Sequence, residues 1–386
     1  MRIVFAGIIG RYPWGGVAWC SLMYLLGLRK LGHDVYYLED TCECNYDPEE
    51  NAIATNPAYA LRHIDDTLRP FDLGDSWCYV DYTGKHHGIG AAKMEEICRS
   101  ADLFLVLSGG CWVWRDHYLA IPRKAFIDSD PAFTQLAIHE ARNQSYVDEK
   151  KGWYVEFFNT YDALFTFGSG IARGTADVPT HHQWLPTWQP VDTSIWQPKK
   201  SSLPTRDVFT TVMTWRFESF QDIGGNKDHE FLKVIDLPSK LRKNGPLRFE
   251  LAVSGPMHLL RDRGWECVDA FSVSSDIWRY HNYISGSLGE FSVAKGTYVS
   301  TRSGWFSDRT ICYLSAGRPA VVQETGFSDV LPTGEGLFAW RSQSEALRYL
   351  EEIHGNYDFH SRRAREIAGE HFRDETVLTR LLGSIS

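Results

Sequence analysis

Residues 303–327, SGWFSDRTICYLSAGRPAVVQETGF, hold the densest set of groups suited to an anion. A glycine-containing turn at Ser303-Gly304 leads to a helix expected to begin near Ser307, with Asp308 and Arg309 in its first turn, and Ala316-Gly317-Arg318-Pro319 closes that helix into a strand. Amides at a helix start donate hydrogen bonds and carry partial positive charge. An arginine beside them adds a charge-assisted contact, so the run suits a nucleotide diphosphate. Two more cations are placed to serve the same group: Arg216, after the apolar run DVFTTVMTW, and Lys227, just before a helix. Neither a metal nor a cofactor is expected. Glu290, in SGSLGEFSVAKGTY with Lys295, is expected to accept sugar or ribose hydroxyls, since a carboxylate takes two such bonds well. Glu324, Thr325 and Gly326 form the turn after the next strand. Each group also has a plainer use: Ser307 as an N-cap, Glu290 as an exposed helix-start acid, the cations as solvated charge.

In the first half, FIDSDPAFTQ places Asp128 and Asp130 at the end of an apolar strand, the edge where α/β sheets bind ligands. Either can deprotonate an acceptor hydroxyl if it lies within hydrogen-bond reach with a raised pKa, or simply cap the helix that follows. Ser108, Gly109 and Gly110, followed by Trp112, Trp114 and Arg115, come after another strand and offer an acceptor stacking surfaces and a cation. Arg11, Trp14, Gly15 and Gly16 lie in the turn after the first strand, where the two glycines bring backbone amides to a helix start. The paired His86 and His87 are secondary candidates for a base. That first turn lacks the G-x-G-x-x-G spacing of dinucleotide loops, and Ser108 lacks the G-x-S-x-G elbow. Nicotinamide, flavin and serine-hydrolase chemistry are therefore disfavoured.

Groups so scattered need a frame that gathers strand ends. Apolar runs at MRIVFAGIIG, HDVYYLED, ADLFLVLSGG, KAFIDSDP and YDALFTFGSG, most closing on Gly, Ser or Asp, begin with a helically spaced segment from Val17 to Leu31 between the first two. This is the pattern of a doubly wound parallel sheet. A Pro- and Trp-rich stretch from His181 to Thr205 interrupts it, and a second series follows with strands expected at DVFTTVMTW, LRFELAVSG, GTYVST, PAVVQ and GLFAW. The chain is thus expected to be α/β throughout: an acceptor domain over 1–185, a linker over 186–205, a donor domain over 206–365, and a terminal helix over 366–386 that can cross back to the first lobe. A length of 386 residues suits two such domains. An apolar share of 43% and a charged share of 23% exclude a disordered chain. The net charge of -9 disfavours a long surface that tracks phosphates. The eight cysteines are dispersed, and Cys42 and Cys44 have no second pair at zinc-ribbon spacing, so free thiols in a reducing cytoplasm are expected. No signal-peptide pattern opens the chain and no apolar run approaches the ~20 residues of a membrane span; the expected location is cytoplasmic, without membrane insertion.

The run from Ser303 to Phe327 resembles the GT-B glycosyltransferases, especially the retaining branch in which an E-G-F-G turn precedes a helix ending C-G-x-P-V-V. The corresponding residues are Ser303-Gly304-Trp305-Phe306-Ser307 and Ala316-Gly317-Arg318-Pro319-Ala320-Val321-Val322, and Glu324-Thr325-Gly326-Phe327 is similar to that branch's post-strand turn near the donor phosphates. The paired glutamates of the branch would fall on Gly304 and Cys312 and are not present. The resemblance implies two Rossmann-like doubly wound domains facing a cleft and metal-independent transfer of a hexosyl group from a nucleotide-diphosphate sugar. A UDP-sugar is the expected donor, and the acceptor is not identified. Alternative readings are a nucleotide-sugar epimerase, a non-catalytic nucleotide- or sugar-binding protein, and a glycosyltransferase acting on modified DNA, the last disfavoured by the acidic net charge.

Overall fold

The computed structural model describes residues 1–144, 149–197, 204–216, 225–241 and 247–385. The chain divides into two α/β units: Met1–Phe167, Pro179–Pro190 and Asp374–Ser386 form the first, and Gly168–Val178 with Val191–Arg373 form the second.

The first unit carries strands β1 (Arg2–Ala6), β2 (Asp34–Glu39), β3 (Asn45–Asp47), β4 (Ala52–Ala54) and β5 (Trp77–Val80). It continues with β6 (His86–Gly88), β7 (Leu103–Leu107), β8 (Arg123–Asp128), β9 (Ala163–Thr166) and β10 (Leu185–Pro186). Apart from a separate β3–β4 hairpin, they form one sheet in the order β10-β9-β8-β7-β1-β2-β5-β6, parallel except where β5 meets β6. Ile3 to Ala6 and Leu103 to Leu107 are buried at every position. Strands covered by helices on both faces read as unbroken apolar runs, which is why these were plain in the sequence. The helix Gly15–Lys30 is buried on several sides, through Trp19, Leu22, Met23, Tyr24, Leu25 and Leu28. The helix Asp374–Gly383 packs against it at Gly27, where an added Cβ would stand 2.4 Å from Leu378 Cδ1.

The second unit carries β11 (Phe209–Thr214), β12 (Phe249–Ser254), β13 (Glu266–Asp269), β14 (Gly289–Ser292), β15 (Ala320–Gln323) and β16 (Leu337–Trp340). All are parallel, in the order β13-β12-β11-β14-β15-β16. Aromatic rings fill its core: Trp265 stacks on Phe291 at 5.9 Å, and Phe291 on Trp340 at 5.9 Å.

Two elements differ from expectation. GTYVST, expected as a strand, holds the helix Gly296–Ser300, and the strand is GEFS, which begins seven residues earlier. β14 lies so close to its neighbours that a Cβ on Gly289 would stand 2.5 Å from Pro319 O, so the central strand needs the glycine that reads as a loop. HEFLKVIDLPSKLRK forms two short helices, Lys227–Leu232 and Leu237–Leu241, with Pro238 near the start of the second.

The crossings are also drawn differently. Residues 168–178 pack with the second unit, Gly170 N donating to Ser303 O at 3.0 Å, before the chain returns to the first, where Thr187 N reaches Thr166 O at 3.1 Å. The second unit runs through the helix Tyr357–His371 to Arg373, past the limit expected at 365, and the return to the first unit begins at Asp374. Of the expected linker, 198–203 lie outside the described residues.

Candidate functional site

In the second unit the strand order reverses between β11 and β14, and in open α/β sheets ligands bind outside the carboxyl ends of the strands at such a point. Lys227 follows β11 there, the first residue of a helix whose N-cap is Asn226. It is half-buried, and among the described residues its ammonium has no hydrogen-bond or ion-pair partner. Burial, then the neighbouring cations Arg309 and Lys295, push Lys227 down to about 7, while Glu290 and Asp308 pull the other way. Lys295 lies after β14 with its Nζ 5.4 Å from the centre of the Tyr298 ring, and that ring stacks on Trp305 at 4.4 Å.

The helix Asp308–Ser315 begins beside them. Ser307 occupies its N-cap yet makes no capping bond; its hydroxyl instead meets Asp308 Oδ1 at 3.4 Å. The first intrahelical bond runs from Ile311 N to Ser307 O at 3.3 Å, so the amides of Asp308, Arg309 and Thr310 have no acceptor within the helix. A half-buried cation and the start of a helix thus stand at one end of one sheet, an arrangement suited to an anion.

Arg309 and Glu290 have a different use from the one expected. Glu290 lies on β14 with no exposed surface, and its Oε1 accepts from Arg309 Nε at 2.7 Å. Arg309, itself buried, also donates to Val212 O on β11 at 2.9 Å, which ties the two strands at the reversal. One oxygen of Glu290 and two nitrogens of Arg309 are thus engaged inside the protein. The other oxygen, Glu290 Oε2, is buried without a partner among the described residues. The remaining cation, Arg216, is exposed and directly precedes 217–224, which lie outside the described residues.

The glycine turn is a packing device. Gly304, at φ +76°, donates its amide to Thr325 O at 2.7 Å, and an added Cβ would stand 2.3 Å from Gly170 N. Ser303 is wholly buried beneath the same segment. Thr325 Oγ1 donates to Trp305 O at 2.5 Å, and Gly326 N donates to Glu324 Oε1 at 2.5 Å. Glu324 faces a cavity of about 400 Å³ whose lining includes Glu230, Lys233, Arg302, Gln323 and Arg341. Of these only Glu324 was singled out from the sequence. The others come from four separate places in the chain, and no local motif joins them.

In the first unit Asp128 ends β8, is buried, and accepts from Thr134 Oγ1 at 2.6 Å, Gln135 Nε2 at 3.0 Å and Thr166 Oγ1 at 3.0 Å. Burial raises it to about 6 against those bonds. Its oxygens are engaged by side chains of the first turn of the helix Phe133–Gln144 and of the end of β9. Asp130 is half-buried, its amide donating to Asp128 Oδ1 at 3.1 Å. Arg115, expected to face an acceptor, forks onto buried Asp40 at 2.6 and 3.1 Å. Trp112 stacks on Tyr154 at 5.9 Å, with Gly109 packed against its indole. Ser108, at φ +47°, shares a 2.6 Å bond with Ser129 Oγ.

Arg11 pairs with Glu43 and with the carbonyl of Cys44, and Trp14 stacks on Tyr46 at 5.6 Å. Gly15 and Gly16 begin the first helix. The amides of Gly10 and Arg11 close on Glu39, a buried carboxylate the sequence did not single out; burial, opposed by Tyr37 and those amides, raises it to about 7. His87 Nε2 meets Asp81 Oδ2 at 2.8 Å, which occupies it structurally. All eight cysteines are free. Among the described residues, no helix is long and apolar enough to cross a membrane.

No family model matches the chain, and no curated protein matches it in sequence. Solved structures do. Over 100% of its length the chain is similar to an alpha-glucosyltransferase in complex with UDP and a 13-mer DNA, at a TM-score of 0.57 and 11% identity, covering 99% of that chain. It is similar in the same way to AviGT4, a glycosyltransferase of avilamycin A biosynthesis, at 0.57 and 13%, covering 97% of that chain. A third is sucrose-phosphate synthase from Thermosynechococcus elongatus, at 0.55 and 11%, covering 100% of that chain.

Proposed function

We propose that this chain, which has the two-unit α/β fold of the GT-B glycosyltransferases, transfers a hexosyl group from a nucleotide-diphosphate sugar bound by its second unit. The observation that carries the reading is the pairing of partnerless Lys227 with the uncapped start of the helix Asp308–Ser315 at the reversal between β11 and β14. A diphosphate there receives hydrogen bonds from amides and charge from a lysine that has no hydrogen-bond or ion-pair partner among the described residues. As the glycosidic bond breaks, the negative charge growing on the leaving diphosphate is met by donors already in place, with no reorganisation at the moment of reaction. In this reading the protein's cations do that work without a metal ion. A UDP-sugar is the donor we favour, because UDP is bound in similarly folded structures, among them the alpha-glucosyltransferase described above. The first unit supplies the acceptor surface in this proposal, with Asp130 the more accessible of its two candidate carboxylates.

The test is calorimetric titration of the full chain with UDP, GDP, ADP and TDP. One nucleotide is expected to bind selectively, and Lys227→Met to weaken it at least about tenfold, as the loss of a charge-assisted contact does. No binding by any of the four at millimolar concentration, or equal binding by the folded variant, would overturn the assignment.

A further inference from the structure

The second unit holds a cavity of about 400 Å³, within the size of small-molecule pockets, roughly 300–1,000 Å³. Its lining carries three cations, Lys233, Arg302 and Arg341, against two carboxylates, Glu230 and Glu324. The signs are sorted by depth. Both carboxylates are buried, whereas the side chains of all three cations are more than half exposed. Val234, Val299 and Trp340 add apolar surface. Gln323, whose Oε1 accepts from Ala294 N at 3.1 Å, lines both this cavity and the smaller hollow formed by Trp305, Ser307 and Thr310, and so stands between the two.

The two arginines are lightly held. Arg302 meets a carboxylate only through Nη2, at 3.4 Å from Asp329 Oδ2. Asp329 lies outside the lining, is itself exposed, and is shared with Arg173, whose Nη1 stands 3.8 Å from the same oxygen. An exposed pair at that distance contributes little and yields to a better anion. Arg341 likewise uses Nη2 alone, on Glu324 Oε2 at 2.9 Å. Among the described residues, Nε and Nη1 of both guanidiniums have no hydrogen-bond partner. Such forks match the oxygens of a phosphate or a carboxylate. Two forks and an ammonium around one mouth exceed what a single carboxylate can meet, whereas a phosphomonoester presents three terminal oxygens. Below them, the two oxygens of Glu230 each accept one bond at 2.6 Å, from Lys233 Nζ and from Gln323 Nε2, and each keeps a lone pair for a hydroxyl.

We propose that this cavity is a second anion site of the second unit, separate from the one at Lys227, and that it takes a monosaccharide phosphate. The phosphate lies at Arg302 and Arg341, and ring hydroxyls point to Glu230. A neutral sugar leaves both arginines to water, and free phosphate leaves Glu230 without a hydroxyl to accept. The inference rests on the cavity alone and stands whether or not a nucleotide binds beside it.

The experiment is calorimetry of the full chain with glucose 6-phosphate, glucose and inorganic phosphate, with and without UDP. Glucose 6-phosphate is expected to bind, glucose and phosphate each to bind at least about tenfold more weakly, and UDP not to displace it. Arg302→Met should weaken glucose 6-phosphate at least about tenfold, as the loss of a charge-assisted contact does, and leave UDP affinity unchanged. Arg302 is exposed and Asp329 keeps Arg173, so the fold is expected to survive the change. Arg341→Met is the second variant, with the same expected loss. No binding of glucose 6-phosphate at millimolar concentration, equal binding by glucose or by inorganic phosphate, or unchanged affinity in both folded variants would overturn the assignment. Displacement by UDP would overturn it as well, since it would show one site in place of two. Failure of UDP, GDP, ADP and TDP alike to bind would instead remove the nucleotide reading and leave this one standing.

Discussion

Lys227 titrates near neutrality because its charge is part-buried beside two other cations, and a diphosphate would reverse that balance. The sign follows from linkage. Its pKa in the folded chain, about 7, lies below the ordinary 10.5, so between those values the unfolded chain holds a proton that the folded one lacks, and stability rises with pH across that window. An anion bound at the ammonium restores the charged form. Binding of UDP at pH 8 is therefore expected to take up close to one proton, and affinity to fall as pH rises above 7. Titrations in two buffers of different ionisation enthalpy measure the uptake; none in the native chain, or the same uptake in Lys227→Met, would remove Lys227 from the contact. Arg309 behaves otherwise. Its removal leaves Glu290 charged with neither oxygen paired, so Arg309→Ala is expected to cost about 3–5 kcal/mol of stability in urea denaturation. The sequence made both residues legible as cations near a helix start. What separates them is the partner each has, and Glu290 lies nineteen positions from Arg309 on another element.

Around these residues the loops do the positioning, and they were the harder part to read. Strands such as β1, β7 and β15 announce themselves by unbroken apolar runs, residues 3–6, 103–107 and 320–322. β14 is four residues long with a glycine and a glutamate, and only the approach of Pro319 and the pairing with Arg309 explain that composition. The turn at Gly304 was found in the sequence as part of a ligand loop, but its φ of +76° and its contact with Gly170 make it the seat of the 168–178 segment. Gly304→Ala is expected to lower stability by roughly 1–3 kcal/mol from backbone strain alone, with further loss as Gly170 is pushed away. Thermal melts measure this. An unchanged melting temperature would mean that the segment yields freely. A loop in the first unit is held by a buried acid instead. Glu39 has a folded pKa near 7, raised from 4.5, so its contribution is complete below pH 4.5 and lost as pH rises through 7. The stability difference between native chain and Glu39→Gln should shrink across that window, by on the order of 3 kcal/mol, in denaturation at pH 4.5 and pH 8.

Composition predicted two α/β bodies, but not how the chain is shared between them. Each crossing is decided by contacts far apart in sequence: Gly170 with Ser303 at one, Gly27 with Leu378 at another. Amphipathic charge patterns near the end of the chain show that helices exist there without showing which core receives them. The helix Asp374–Gly383 buries Val377, Leu378 and Leu381, and its Asp374 carboxylate faces Lys30 at 3.4 Å, all within the first unit. Removing residues 374–386 should therefore expose the Gly15–Lys30 helix and weaken the first sheet, while the donor site proposed for the second unit should keep whatever affinity it has for UDP. Hydrogen exchange of the truncated chain reads both units at once. Protection is expected to fall in peptides covering β1 and the Gly15–Lys30 helix and to persist in β11, β14 and β15. A uniform loss would show that the two units fold as one cooperative body, and no loss in β1 would show that the terminal helix only decorates the core it covers.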